Sequence, residues 1–426
     1  MDDNQEGRLT RRAFVKAGGI ALFSLGVGGS PLFLGRTALG AAEVAPFGKK
    51  KTLVTIFQRG AMDGLMAVPP LDDPYLSKLR PRLGMSASRG AESQVGDLGV
   101  GFGLHPSFAP LRESWDEGRL AIVHGVGSPD TTRSHFDAQD YMETGTPGVK
   151  GTPDGWLNRA VGLLGHEATP FQAVSMGGGL PRSLYGERSA LAINNLADFG
   201  LGVGLGNLGA MSGSSFESLY AETSQDLMRE TGESTFEALE ALDALRHEPY
   251  QPVEGADYPN SPLGNALKQI AQLIKGGVGL EVAVAETGGW DTHVQQGTTN
   301  GTFAQRGGDL AQSIAAFWAD MAGRRDEVVV LTMTEFGRTV AENGTGGTDH
   351  GRGSCLFLLG NGVDGGQVHG TVPTLHKDNL EDGRDLPVTT DFREVFSEVA
   401  NRHLGIEDSQ TLFPEWRGDP LRLWRA

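Results

Sequence analysis

Lys51-Thr52-Leu53-Val54-Thr55-Ile56-Phe57 is an apolar run that breaks at Arg59-Gly60-Ala61-Met62-Asp63-Gly64. A run of this kind predicts a buried strand with a polar loop at its carboxyl end. The pattern repeats downstream. Residues 120–123 form a second short strand, tipped by Asp130-Thr131-Thr132-Arg133-Ser134-His135. Residues 280–285 form a third, broken by Glu286-Thr287-Gly288-Gly289-Trp290-Asp291-Thr292-His293, and 328–332 and 355–359 follow. Helical patterns lie between them. Ser107 is placed to cap a helix with Leu111 and Trp115 on one face and Gly118 at its end. Ser261-Pro262 opens another, with Leu263, Leu267, Ile270 and Ile274 in phase and Gly276-Gly277 as its stop. Leu310, Ile314, Phe317 and Met321 mark a third. Strands alternating with amphipathic helices predict a layered α/β fold around a largely parallel sheet. Ligands of such sheets bind beyond the carboxyl ends of the strands, where these polar clusters fall.

The amino-terminal segment reads differently. A polar start leads to Leu9-Thr10-Arg11-Arg12-Ala13-Phe14-Val15-Lys16, then a glycine-diluted apolar run over 17–34, then Gly40-Ala41-Ala42. That order predicts a twin-arginine export signal over 1–42. It implies passage through the twin-arginine translocation machinery in the folded state to a periplasmic or secreted destination, with no stable membrane span after cleavage. An uncleaved anchor is the competing reading, which the glycines weaken. Residues 43–426 are then one domain, with a glycine-rich and helical insertion at about 190–260.

Residues 1–42 hold five basic and three acidic residues, so their removal takes the formal net charge from -17 to -19. An acidic surface disfavours nucleic acid as a partner. The single cysteine, Cys355, excludes an internal disulfide and thiolate clusters, so any metal must be held by His, Asp or Glu. Gly204-Leu205-Gly206-Asn207-Leu208-Gly209 matches a dinucleotide pattern by letter but lacks the strand and helix around it.

The candidate chemistry sits at the predicted strand ends. In extended backbone, residues two apart point the same way, so Asp291 and His293 can converge on a cation. Asp349-His350 repeats the pairing before a strand, and His369 follows the next one. Such donors suit a divalent zinc, manganese or iron ion. A loop aspartate capping a turn beside a hydrogen-bonded histidine is the plainer alternative. His135 and Asp63 complete the candidate metal set of Asp291, His293, Asp349 and His350. Ser134, or Thr132, is the candidate nucleophile at a helix start, where backbone N–H groups attract anions. Arg133 and Arg59 would clamp the anion. The structural alternative is a capping box between Ser134 and Asp137. Glu335 offers a ligand or base and Arg338 an anion contact, unless the two form an ion pair with each other.

Phe57-Gln58-Arg59-Gly60-Ala61-Met62-Asp63-Gly64, Arg133-Ser134-His135-Phe136-Asp137-Ala138-Gln139, Gly289-Trp290-Asp291-Thr292-His293, Thr334-Glu335-Phe336-Gly337-Arg338-Thr339 and Gly347-Thr348-Asp349-His350-Gly351 together resemble the exported domain-of-unknown-function 1501 family. That family is similar to a distant branch of the alkaline phosphatase and sulfatase superfamily. The resemblance implies a three-layer αβα sandwich of alkaline-phosphatase-like fold. It also implies a metal-centred site that cleaves phosphate or sulfate esters, with an activated Ser or Thr as the attacking group. Gln58 and Arg59 stand where that superfamily would place an aspartate ligand. Asp291, His293 and His350 fit one metal site, and a second would have to be rebuilt from Asp63 and Glu335. The expected function is a metal-dependent hydrolase acting on a small anionic ester or glycan. The alternative is a non-catalytic periplasmic binding protein that kept the fold and lost the second metal site.

Overall fold

Strand β1 (Thr52–Gln58) is buried along its whole length inside a nine-stranded sheet. The computed structural model describes residues 50–85, 95–166, 169, 171–196 and 250–425. The export segment 1–42, the glycine letters at 204–209 and most of the 190–260 insertion lie outside the described residues. The other strands are β2 (Leu120–Gly127), β3 (Ala173–Met176), β4 (Leu191–Ile193), β5 (Val282–Thr287), β6 (Val328–Met333), β7 (Ser354–Leu359), β8 (Val368–Gly370) and β9 (Thr390–Asp391). The sheet runs β8-β2-β7-β6-β1-β5-β3-β4, with β9 also paired to β2. Every pairing is parallel except the two made by β7, which runs against β2 and β6. The expected largely parallel sheet is present.

Helices cover both faces. Val54 and Ile56 of β1 and Ala283 and Ala285 of β5 pack with α3 (Pro262–Gly276) and α4 (Thr302–Asp320), through residues such as Ile270 and Phe317. Leu53, Phe57, Val282 and Val284 point the other way, toward α2 (Trp156–Leu163) and α5 (Phe392–Leu404). Strand side chains alternate between faces, so each strand feeds both cores. Helix α3 begins as its letters require: Ser261 accepts from the Gly264 N–H at 3.0 Å, Pro262 opens the first turn and Gly277 ends it at φ 68°. Among the described residues, no helix is long and apolar enough to cross a membrane.

Three local expectations are corrected. The turn near Ser107 is capped by His105, because Pro106 and Pro110 bend the segment into a 3-10 helix (Pro106–Leu111) before a short α-helix (Arg112–Asp116). The predicted capping box of Ser134 and Asp137 does not form at α1 (His135–Thr144). The Ser134 side chain makes no cap bond, and Asp137 turns to Lys150 at 2.9 Å. His369 lies inside β8, not beyond it, and contacts the Asp364 carbonyl through Nε2.

Register places the site. Gln58 lies opposite Thr287, and Phe57 opposite both Glu286 and Met333. The chain therefore leaves β1, β5 and β6 at one level, carrying Asp63, Asp291 and Glu335 to the same end of the sheet. Strand β7, running the other way, starts there, so His350 precedes it. Strand β2 ends nearby, Val126 opposite Ser354, and leads to α1 with His135 in its first turn.

Three further histidines are core parts. His105, His124 and His403 are buried, and Nε2 of each meets a backbone carbonyl: Thr298 at 3.1 Å, Val68 at 3.0 Å and Thr52 at 2.9 Å. Burial pushes all three pKa values down to about 4. The unfolded chain, with ordinary histidines near pKa ~6.5, binds more protons below that value. Their stabilising contribution is thus complete above pH ~6.5 and lost as pH falls through about 4. For chelator-treated protein, calorimetry at pH 7 and pH 4.5 should show a melting temperature lower by more than about 5 °C at the acid end. His403→Gln should flatten that dependence; equal slopes for variant and wild type would contradict the assignment.

Candidate metal centre

Three imidazoles and one carboxylate meet at the carboxyl end of the sheet. His350 Nε2 lies 3.0 Å from His135 Nε2 and 2.9 Å from His293 Nε2. Asp291 Oδ1 lies 3.3 Å from the first, 3.5 Å from the second and 3.1 Å from the third. The donor atoms of His135, Asp291 and His350 all fall within 4.8 Å of one another, and His293 joins through Asp291 and His350.

The opposite ring nitrogens are all occupied. His135 Nδ1 donates to Glu335 Oε1 at 2.8 Å, His293 Nδ1 to Asp349 Oδ1 at 2.9 Å, and His350 Nδ1 to the Arg133 carbonyl at 2.9 Å. A carboxylate or carbonyl only accepts, so each Nδ1 must carry the proton, and a ring in its neutral form turns a bare lone pair inward at Nε2. Lone pairs 2.9–3.0 Å apart repel. One shared proton bridges one pair only, whereas a divalent cation satisfies all of them. Orientation of ligand histidines through their other nitrogen is the usual support of a metal site. The spacing fits for His135, Asp291 and His350: donors about 2.0 Å from one ion lie about 3.3 Å from each other.

The charge state of the supports agrees. Burial would raise the Glu335 pKa, but hydrogen bonds from His135, Gln139 and the Gly60 N–H outweigh it and hold the carboxyl below its usual value. Asp349 is lowered by the His293 hydrogen bond, against partial burial. Burial also opposes ionisation of Asp291, yet Arg338 holds its pKa down through a 2.8 Å bond to Oδ1. The Glu335 bond raises the pKa of His135, while burial and the neighbouring His135 lower that of His350. Phe336 stacks on His135 with ring centroids 4.8 Å apart.

Beneath this set a polar relay ties the two ligand loops together. Thr292 and Thr348 both donate to Gln296 Oε1, at 2.8 and 2.7 Å. Gln296 Nε2 donates to Asp63 Oδ2 at 2.8 Å, and Asp63 forms a buried two-pronged pair with Arg80 at 2.9 and 3.0 Å. Arg80 also meets the Val340 and Thr339 carbonyls. Gly347 closes the junction, since a Cβ there would overlap the carbonyl oxygens of Thr292 and His293.

The structure thus brings together four of the six residues read as metal ligands. Asp349 stands behind His293 as its hydrogen-bond partner, and Asp63 is engaged by Arg80, Gln296 and the Met66 N–H. Glu335 supports His135, and the expected Glu335–Arg338 pair is replaced by Arg338–Asp291. The two arginines read as anion clamps are themselves held by carboxylates. Arg59 meets Glu143 at 3.0 Å and also Glu286, while Arg133 meets Asp382 at 2.9 Å and Asp385 at 2.5 Å. Ser134 is exposed at the start of α1, and Thr132 Oγ1 accepts from its N–H at 3.2 Å. Gln139, Gln296 and Arg80 were not legible as site residues, because each acts through a partner more than 15 positions away in the chain.

Fold and site together define an α/β protein with a mostly parallel sheet and a His-rich candidate metal centre at its strand ends. The family described as "Protein of unknown function (DUF1501)" matches residues 124–415, and the chain belongs to that family. The matched region contains all four converging donors and Glu335, and begins after Arg59 and Asp63. No curated protein matches the chain.

Gly347→Ala should push the two ligand loops apart. We expect zinc affinity, measured by competition with a chromophoric chelator, to fall by about 10- to 100-fold, the range of lost supporting contacts. Unchanged affinity would show that the loop junction does not set the donor geometry.

Proposed function

We propose that this protein is an exported, single-metal hydrolase of phosphate or sulfate esters, a distant branch of the alkaline phosphatase and sulfatase superfamily. The observation that supports the reading is the convergence of three Nε2 lone pairs and a carboxylate oxygen, each Nδ1 already tied down. The cluster borders solvent: the Asp291 and His293 side chains are 44% and 40% exposed, which suits an open position more than a closed structural site. A divalent zinc, manganese or iron ion held by His135, Asp291, His293 and His350 would supply Lewis acidity toward an ester oxygen. A single ion is proposed because Asp63 and Glu335, the residues available for a second, are committed to Arg80 and His135.

The chain's own groups have separate tasks. Glu335, Asp349 and the Arg133 carbonyl keep the imidazoles in one tautomer, and Arg338 fixes Asp291. Ser134 is one residue from His135, and its hydroxyl makes no hydrogen bond among the described residues, so it is available to attack. In the net reaction one water is consumed, the phosphorus–oxygen or sulfur–oxygen bond breaks, and a proton passes to the leaving oxygen. The second reading, a binding protein without turnover, is favoured by the engagement of Arg59 and Arg133 with carboxylates, which deprives an anion of its expected clamp.

Metal analysis of protein isolated from the periplasm decides between them. About one zinc, manganese or iron per chain is expected, lost in Asp291→Ala with His350→Ala. Wild type that stays metal-free after dialysis against zinc and manganese would contradict the centre. Metal-loaded protein that turns over no phosphate or sulfate ester would favour the binding reading. Export through the twin-arginine machinery predicts that Arg11→Lys with Arg12→Lys leaves the protein in the cytoplasmic fraction. Periplasmic recovery of that variant would overturn the route.

A further inference from the structure

Helix α1 presents His135, Gln139 and Glu143 four residues apart, and so in one row along its surface. Arg59, just past the end of β1, lies against the last two. Its Nη1 donates to Gln139 Oε1 at 3.0 Å and to Glu143 Oε2 at 3.0 Å, and its Nη2 donates to Glu143 Oε1 at 3.2 Å and to Glu286 Oε1. The four Nη protons are thereby all used. On its other side Gln139 Nε2 donates at 2.8 Å to Glu335 Oε1. The same oxygen takes the His135 Nδ1 proton at 2.8 Å and the Gly60 N–H at 2.9 Å. The Gln139 amide has one workable orientation. A guanidinium only donates and an ionised carboxylate only accepts, so a flipped amide would set donor against donor and acceptor against acceptor.

We propose that Gln139 is a positioning residue of the metal centre: oriented by Arg59, its N–H holds Glu335 Oε1 on His135 and so fixes the direction of the His135 Nε2 lone pair. This role depends on the metal centre proposed above and not on ester turnover. Glu335 is buried, so bulk water does not replace a lost donor. Without the amide, Oε1 keeps two donors, and the carboxylate is freed to swing toward Thr334 Oγ1, 3.4 Å from Oε2. His135 then loses the partner that orients it. Arg59 serves the centre from behind, acting through Gln139 on a metal ligand. Gln139→Glu separates this role from simple packing. It keeps the side-chain length and an acceptor for Arg59, but turns an acceptor toward Glu335, and two carboxylates at hydrogen-bond distance repel.

The test measures zinc affinity at pH 8, by chelator competition, on mature wild type, Gln139→Glu, Gln139→Met and a control on the same helix, Asp137→Asn, whose partner is Lys150. We expect both Gln139 variants to bind zinc about 10- to 100-fold more weakly, with Gln139→Glu the weaker of the two. Asp137→Asn should stay within about twofold of wild type, as befits an exposed ion pair. Melting temperatures of the metal-free proteins should agree within about 5 °C. The visible bands of the cobalt-loaded Gln139 variants should shift, which a change in fold stability alone would not cause. Gln139→Glu binding zinc as tightly as wild type would show that only side-chain shape and the Arg59 bond matter, and would overturn the inference. Wild-type affinity in Gln139→Met would also overturn it, as would equal losses in all three variants, which would assign the effect to the helix as a whole. Wild type that binds no zinc would overturn the metal centre itself, and this role with it.

Discussion

Three imidazole lone pairs facing one point repel one another, and everything around them in this protein prevents the rings from turning away. Glu335, Asp349 and the Arg133 carbonyl each hold one Nδ1 proton, so a rotation that relieves the Nε2 contacts would leave an acceptor unmatched. For Glu335 that cost is large, because its carboxylate is buried. Repulsion is thus built in, and a cation is what relieves it. Metal binding would draw on the energy already invested in holding the donors together.

The supporting architecture follows from strand register. Parallel strands β1, β5 and β6 end level with one another, and antiparallel β7 begins beside them, so four loops are delivered to one patch. Those loops then need to be fixed relative to each other. The Gln296 relay does this by reading both ligand loops with one amide oxygen, from a base anchored on the Asp63–Arg80 pair. Such a buried pair is tolerated only when its remaining lone pairs and protons are satisfied, as they are here.

The arginines show the opposite economy. Guanidinium groups at strand ends suggest anion binding, but a carboxylate in reach neutralises that use at once, since the charge-assisted pair forms with no ligand present. Arg59 and Arg133 took that course, and each instead fixes a loop: Arg59 bridges α1 and β5, and Arg133 ties the α1 entry to Asp385.

Much of this was legible in the letters. Buried strands, Ser261 before Pro262, and the Asp-Thr-His and Asp-His pairs all rest on local periodicity, capping and spacing, which act over a few residues and so can be read in order. Asp291, His293 and His350 were identifiable for that reason. The division of labour among the candidates was not. Asp349 and Asp63 carry the same functional group as Asp291, and only the tertiary structure placed one at the centre, one behind His293 and one against Arg80. Sequence determined which groups stand at the strand ends, because chain-local physics does that. Tertiary structure alone decided which of them meet, because a hydrogen bond between residues some 200 positions apart, such as His135 to Glu335, depends on register and packing that no local pattern encodes.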